Sequence, residues 1–263
     1  MVLKKHTNRK PFTCLTIIYS YFLMKYKTLM FMKKNFALFS LALFSFQSVC
    51  AQTAKEVFAK SQKVYENAVF YLDSGKVFQE FYDLPQPFEK AKYFKTAYDQ
   101  KGRFNFEYYE VGLSNSLMVI NRNANNVAQY WWGIGNPTQN NKKLEELLSS
   151  AGGVSSRTSI QIPELLLTNH NILGESIFLS TKNPQLDSDE TINGVLCFKI
   201  KGSDAQGDVT IWISKADYLI KKVMSDQKVS NFRVKSTFDY FSSLPTNLEN
   251  SVFEFRPNRK VKM

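Results

Sequence analysis

The sequence predicts a mainly β domain of the α+β class, an antiparallel sheet strongly curved around a few short helices. Three observations carry that expectation. Several segments alternate apolar and polar residues with period two. Helical periodicity is confined to three short stretches. An Asn-Gly pair, Asn193-Gly194, sits between two strand-like runs as a hairpin turn. The clearest alternation runs from Arg103 to Val111, where Phe104, Phe106 and Tyr108 face one way and Arg103, Asn105 and Glu107 the other. One apolar and one polar face describe a half-buried antiparallel strand, and its apolar face needs a cover.

The first 51 residues differ from the rest. They hold eight basic residues (Lys4, Lys5, Arg9, Lys10, Lys25, Lys27, Lys33 and Lys34) and no acid. The chain is +11 overall; without those eight, 26 basic residues stand against 23 acidic ones, a net of +3. The basic pI therefore belongs mostly to this leader and argues against a nucleic-acid partner, which needs a basic face on the folded domain. Met32-Lys33-Lys34-Asn35 reads as the positive start of a secretory signal, Phe36 to Phe46 as its apolar stretch, and Val49-Cys50-Ala51 as the cleavage site before Gln52. Eleven apolar residues fall short of the roughly 20 that span a bilayer as helix. Translation is expected to start at Met32, leaving residues 1–31 as a misassigned upstream segment. The organisation expected is thus 1–31 upstream, 32–51 signal peptide and 52–263 one domain, exported with no transmembrane segment in the mature chain. Anchoring through a lipid on Cys50 is the lesser reading, because Gln47-Ser48-Val49 lacks the Leu at −3 of a lipoprotein signal and puts Val at −1. Cleavage after Ala51 leaves Cys197 as the single cysteine of 212 residues, so no internal disulfide forms and the core must hold the fold.

The mature chain opens with a helix. Thr53 and Glu56 have the spacing of a capping box, Ala54, Val57, Phe58, Val64, Tyr65 and Ala68 line one face, and the helix should end near Asn67. Strands are expected over 76–83, 91–99, 103–111, 116–122 and 126–132, turning at Gly102, Gly112 and the Asn121–Asn126 stretch. Lys142 to Ser150 reads as a helix stopped by Gly152-Gly153, and Ile160 to Thr168 as a second, with Pro163 in its first turn. Strands resume at Glu190–Ile192, Val195–Lys201, the alternating Val209, Ile211 and Ile213, Tyr218–Met224, and the face made by Phe232, Val234, Ser236, Phe238 and Tyr240. Val252 to Pro257 is expected as a closing strand stopped by proline. Trp212 faces away from Ile211, either exposed or packed under a loop.

Little in the chain suggests catalysis. His170 is the one histidine of the mature chain and has no partner at metal-ligand spacing. Cys197 sits on an expected strand, as a structural thiol. A hydrolase would have to use those two. Gly133-Ile134-Gly135-Asn136-Pro137 lacks the third glycine and the Lys-Ser ending of a phosphate loop, and Asp187-Ser188-Asp189-Glu190 lacks the glycine and distant glutamate of a calcium loop. No G-x-S-x-G elbow occurs. No catalytic residue, metal or cofactor is expected.

An apolar sheet face that short helices cover incompletely leaves a groove suited to acyl chains. The expected groove residues are Phe104, Phe106, Tyr108, Leu196, Phe198, Ile211, Ile213 and Phe238 on the sheet, faced by a lid of Leu144, Leu147, Leu148, Leu165 and Leu166. Plain core packing is the alternative for the same residues.

The order of elements, with Asn193-Gly194-Val195-Leu196-Cys197-Phe198-Lys199-Ile200, Val209-Thr210-Ile211-Trp212-Ile213-Ser214, Leu219-Ile220-Lys221-Lys222-Val223 and the tail Val252 to Pro257, resembles the outer-membrane lipoprotein carrier superfamily, the LolA-like fold. The resemblance implies an unclosed antiparallel β-barrel, a half-barrel, with helices covering its concave face. It also implies a periplasmic location and a non-covalent acyl-chain ligand or lipoprotein, with membrane-associated transport or receptor proteins as further partners. Ser214-Lys215 stands where an acidic residue is usual, and no arginine matches the carriers' functional one. Carriers, receptors and sensing regulators share the fold, so a sensor or protein-partner-binding module is the alternative function.

Overall fold

Thr53 starts the first helix by the expected capping box. Its Oγ1 accepts from the Glu56 amide at 3.2 Å, and Glu56 Oε2 accepts from the Thr53 amide at 2.7 Å, so two amides that helix geometry leaves unpaired are satisfied. Helix α1 (Ala54–Glu66) then buries Ala54, Val57, Phe58 and Tyr65 and closes at Asn67. The computed structural model describes residues 52–110, 116–133, 138–139, 143–167, 176–229 and 231–257. The leader with Cys50 and Ala51, and also Gly112 and His170, lie outside the described residues.

Among the described residues twelve strands follow: β1 (Phe70–Tyr82), β2 (Phe88–Asp99), β3 (Phe104–Glu110), β4 (Ser116–Arg122), β5 (Ala128–Trp131), β6 (Thr138–Gln139), β7 (Lys182–Leu186), β8 (Glu190–Ile192), β9 (Val195–Ser203), β10 (Gly207–Ser214), β11 (Ile220–Val229) and β12 (Phe232–Tyr240). They form one antiparallel sheet in the order β6-β5-β4-β3-β2-β1-β12-β11-β10-β9-β7, with β8 beside β9. The first and last strands pair in the middle, and β6 and β7 are unjoined edges, so the barrel stays open. Edge β7 carries Lys182 and Pro184, residues that discourage further strand pairing. The Asn193-Gly194 hairpin is as expected: both residues take positive φ, 50° and 81°, as a tight hairpin turn requires.

Among the described residues four short helices lie on the concave side with α1: α2 (Leu144–Ala151), α3 (Thr158–Gln161), α4 (Pro163–Leu166) and α5 (Ile177–Ser180). The single helix expected from Ile160 is two, α3 and α4, meeting at Ile162 just before Pro163, whose missing N–H breaks the ladder. Helix α5 and strand β7 carry no periodicity long enough to announce them. Strand β1 begins six residues before its expected start. Its inward residues there are Tyr71, Asp73 and Gly75, and the last two hide the apolar alternation. Gly75 is needed because Phe94 fills its place: a Cβ would fall on the Phe94 ring and the Asp239 carbonyl.

Two outer-face expectations are corrected. Strand β3 is buried on both faces, including Asn105 and Glu107. Its outer side is covered by the tail, which is a 3-10 helix (Asn250–Phe253) and not a strand. Lying across the sheet, the tail binds side chains: Asn121 Nδ2 donates to the Phe253 carbonyl at 2.9 Å, Arg103 Nη1 donates to Asn250 Oδ1 at 2.7 Å, and the Arg103 guanidinium stacks 4.3 Å from the Phe253 ring centre. Of the two alternatives for Trp212 the structure takes the covered one: it is buried against Ile192 and Cys197, its indole N–H donating to Glu190 at 3.1 Å between the ammonium groups of Lys199 and Lys222.

Candidate ligand cavity

The concave face divides into two halves, and cross-strand register shows where. One inward row reads Val77, Phe238, Val223 and Ile211 across β1, β12, β11 and β10. It is apolar and buried, and with the helices above it belongs to the main core. The next row outward reads Lys90, Gln79, Ser236, Ser225 and Val209. Beyond it come Phe88, Phe81, Val234 and Gln227, and then Phe232 and Val229. A polar row thus separates a filled inner half from an outer half that is apolar again and incompletely covered.

In the filled half, α1 and α2–α4 close down on the sheet. Tyr65 Oη accepts from the Ile220 amide at 3.0 Å, and Ser61 Oγ donates to the Tyr218 carbonyl at 2.7 Å. Tyr71 Oη donates to Asp73 Oδ2 at 2.8 Å, and Tyr240 Oη donates to Gln161 Oε1. Burial pushes the Asp73 carboxyl up to about 7, against the opposing pull of the Tyr71 hydroxyl.

In the outer half, a cavity of about 670 Å³ opens between the sheet and the loop from Gly152 to Arg157. That volume is typical of small-molecule sites, about 300–1,000 Å³. Its sheet wall is Gln79, Phe81, Val209, Ser225, Val234 and Ser236 with their neighbours, and Gln161, Glu164, Ile177 and Thr181 close the helical side. The loop turns through two consecutive left-handed residues, Ser156 at φ 53° and Arg157 at φ 70°. Such conformations are uncommon outside glycine and gather at functional sites. Ser156 Oγ donates to Gln79 Oε1 at 2.8 Å, and Gln79 Nε2 donates to Ser236 Oγ at 3.1 Å, so a polar bridge links loop to sheet.

The charges around the cavity are mostly cationic. Lys92 is paired with Glu110, whereas the Lys90 ammonium lies over the Phe81 and Phe88 rings. Arg157 is exposed and makes no ion pair among the described residues. Asp204 accepts from Gln227 and from the amides of its own turn. Glu164 is 8% exposed, and its Oε1 has no hydrogen-bond partner among the described residues. Burial pushes its carboxyl up to about 8, which the Arg157 charge only partly offsets.

Of the residues expected to line a groove, Tyr108 and Phe238 face this cavity. Phe104, Phe106, Ile211 and Ile213 pack in the filled half against Leu144, Leu147, Leu148, Leu165 and Leu166, with Phe198 partly buried beside them. Leu196, past the last inward pair of β9, is 51% exposed. The cavity residues missed in the sequence are Gln79, Phe81, Lys90, Ser225, Arg157 and Glu164. For Gln79, Lys90 and Ser225 the signal is the register-matched polar row, which appears only once the strands are paired; Phe81, Arg157 and Glu164 carry no such signal. Cys197 is fully buried, its Sγ 3.3 Å from the Val195 carbonyl, and burial raises its thiol. The acids of the 187–190 turn each meet a lysine: Asp187 with Lys201, Asp189 with Lys215 and Glu190 with Lys199. Ser225 and Lys228 have a Ser-x-x-Lys spacing, but on β11 an odd separation sends the two side chains to opposite faces. No helix among the described residues is long and apolar enough to cross a membrane.

A family model described as a predicted periplasmic protein (DUF2092) matches residues 145–263. No curated protein matches the chain. Among solved structures, a LolA superfamily protein from Nitrosomonas europaea is similar at 12% identity, 78% coverage of this chain and 99% of that one, with a TM-score of 0.35. LprF from Mycobacterium bovis is similar at 12% identity, 75% and 96% coverage, TM-score 0.41. The Pseudomonas aeruginosa MucA/MucB complex matches at 7% identity, 80% of this chain and 64% of that one, TM-score 0.40. These are likenesses of fold alone; the chain itself is an unclosed antiparallel sheet with a few helices.

Proposed function

We propose that the protein is a periplasmic binding or carrier protein for lipid or lipidated protein, without catalysis, holding an acyl chain in the outer half of the concave face. The observation that carries this reading is the cavity itself. The outer rows Phe81–Val234 and Phe232–Val229 are apolar, and among the described residues no helix is packed down on them as α1–α4 are on the inner rows. A chain laid there gains about 0.8 kcal/mol for each CH₂ it removes from water. It enters a space already present, so the leucines of α2 and α4 need not leave the core. Native mass spectrometry of the purified protein, followed by organic extraction, is the test. A co-purified lipid or lipopeptide, lost on Phe81→Asp with the fold retained, is the expected result. A bare mass and no uptake of acyl probes would overturn it.

One observation favours a second reading, a sensor or partner-binding module. The inner half is a filled core, while Tyr82, Phe88 and Val229 are exposed at the rim. Under that reading the rim seats a protein segment, and Tyr82→Asp, at a side chain on the face of β1 opposite Phe81, abolishes partner capture without changing acyl-probe uptake.

A further inference from the structure

The cavity has a polar side whose chemistry is more specific than an acyl chain requires. The row Lys90, Gln79, Ser236 and Ser225 crosses its sheet wall. Opposite stand the unpaired Arg157 and the buried Glu164, whose Oε1 has no partner among the described residues. A buried polar oxygen without a partner is costly, and a ligand group that hydrogen-bonds to it removes the cost. Gln79 and Ser236 already use each other, so they do not supply that group. An acyl chain needs none of this, and its polar end accounts for all of it.

Resting on the acyl-ligand reading above, we infer that the cavity selects amphiphiles with an anionic oxygen head, a carboxylate or a phosphate ester, held between Arg157, Lys90 and the Glu164 carboxyl. Arg157 and Lys90 supply the positive charge. Glu164, kept protonated by its burial at neutral pH, donates its O–H to a head oxygen; once ionised it would repel the same head. The tail then lies over Phe81, Val234 and Phe232. Charge-assisted contacts of this kind are the strong ones.

Displacement of a fluorescent acyl probe by hexadecanoate, by a C16 lysophosphatidate and by the neutral hexadecan-1-ol tests this. At pH 7 an anion is expected to bind at least about tenfold more tightly than the alcohol, the equivalent of ~1.4 kcal/mol. If both anions are preferred, the site reads charge alone; a preference for one identifies the head, and either result supports the inference. The anion-to-alcohol ratio should fall towards one in Arg157→Gln and, as an independent check against local misfolding, in Lys90→Gln. Anion affinity should drop as pH rises through about 8, and Glu164→Gln, whose amide does not titrate, should lose that drop. Equal binding of all three ligands overturns the head-group assignment and leaves the acyl reading standing. Binding of none overturns the acyl reading itself.

Discussion

The two halves of the concave face are built from the same strands, yet one is core and the other is cavity. The inner half meets four packed helices: α1 across the β10–β11 turn, then α2, α3 and α4. The outer half meets a loop with two left-handed residues and the short α5. Between them a single ladder row changes from Val77–Phe238–Val223 to Gln79–Ser236–Ser225. Sheet regularity therefore decides nothing about binding; helix coverage and one polar row do. A strand supplies an inward residue every second position whether or not anything lies above it.

The widest separation between the halves should appear in stability. Phe106 is fully buried in the inner half, and Phe106→Ala removes a ring from a closed core, costing about 3–5 kcal/mol. Phe81 borders the cavity and is only partly buried, so Phe81→Ala should cost under about 1.5 kcal/mol while weakening acyl-probe binding. Urea unfolding of both variants, with probe titration alongside, checks the pair. Equal losses of stability would mean that the outer half is as well packed as the inner, and the comparison would fail.

The buried carboxyls sharpen it through pH. Asp73 lies in the inner half with its pKa raised from 3.8 to about 7, and Glu164 borders the cavity with its pKa raised from 4.5 to about 8. In both, the folded state keeps a proton that the unfolded state releases, so each contribution is full below the unfolded pKa and disappears by the folded one. Stability should therefore fall by up to a few kcal/mol as pH rises from about 4 to 8. Asp73→Asn should remove the part lost by about pH 7 and leave the part lost by about pH 8. Thermal unfolding across pH 4–9 reads it; an unchanged profile in Asp73→Asn would show that its carboxyl titrates normally.

A smaller effect belongs to the helix that closes the inner half. Thr53→Ala removes the capping hydroxyl of α1 and should cost about 1 kcal/mol. Because α1 covers the filled half and not the cavity, probe affinity should not follow the drop in melting temperature.

How much of this was legible in the sequence differs between the halves for a physical reason. The inner half announces itself locally: Thr53 and Glu56 cap α1, Asn193-Gly194 fixes a hairpin, and Phe104, Phe106 and Tyr108 mark an inward face. The same apolar face was open to two readings, groove or plain core, because alternation tells which way a side chain points and not what lies above it. The cavity is written in register. Gln79, Ser236 and Ser225 are unremarkable polar residues more than 140 positions apart at the extreme, and only pairing β1 with β12 and β12 with β11 aligns them. Likewise nothing within Asn250–Phe253 distinguishes a strand from a turn lying across Asn121 and Arg103. The LolA-like resemblance supplied the unclosed sheet, which single segments could not.

The least of the expected effects bears on the strained loop. Arg157 holds φ at 70°, where a side chain costs roughly 1–2 kcal/mol and glycine costs nothing. Glycine also frees the unfolded chain, which returns about 0.5–1 kcal/mol of that gain. Arg157→Gly should therefore stabilise the protein slightly, by up to about 1 kcal/mol. The same change removes the cation facing Glu164, so the preference for an anionic amphiphile should fall as the melting temperature rises. A residue kept in a strained conformation solely by loop packing would improve stability on release and leave ligand selection untouched. Opposite movements of the two readouts would instead tie the strain to the outer half's binding role, whereas the packed half offers no such exchange: there Phe106→Ala loses stability and has no ligand contact to lose.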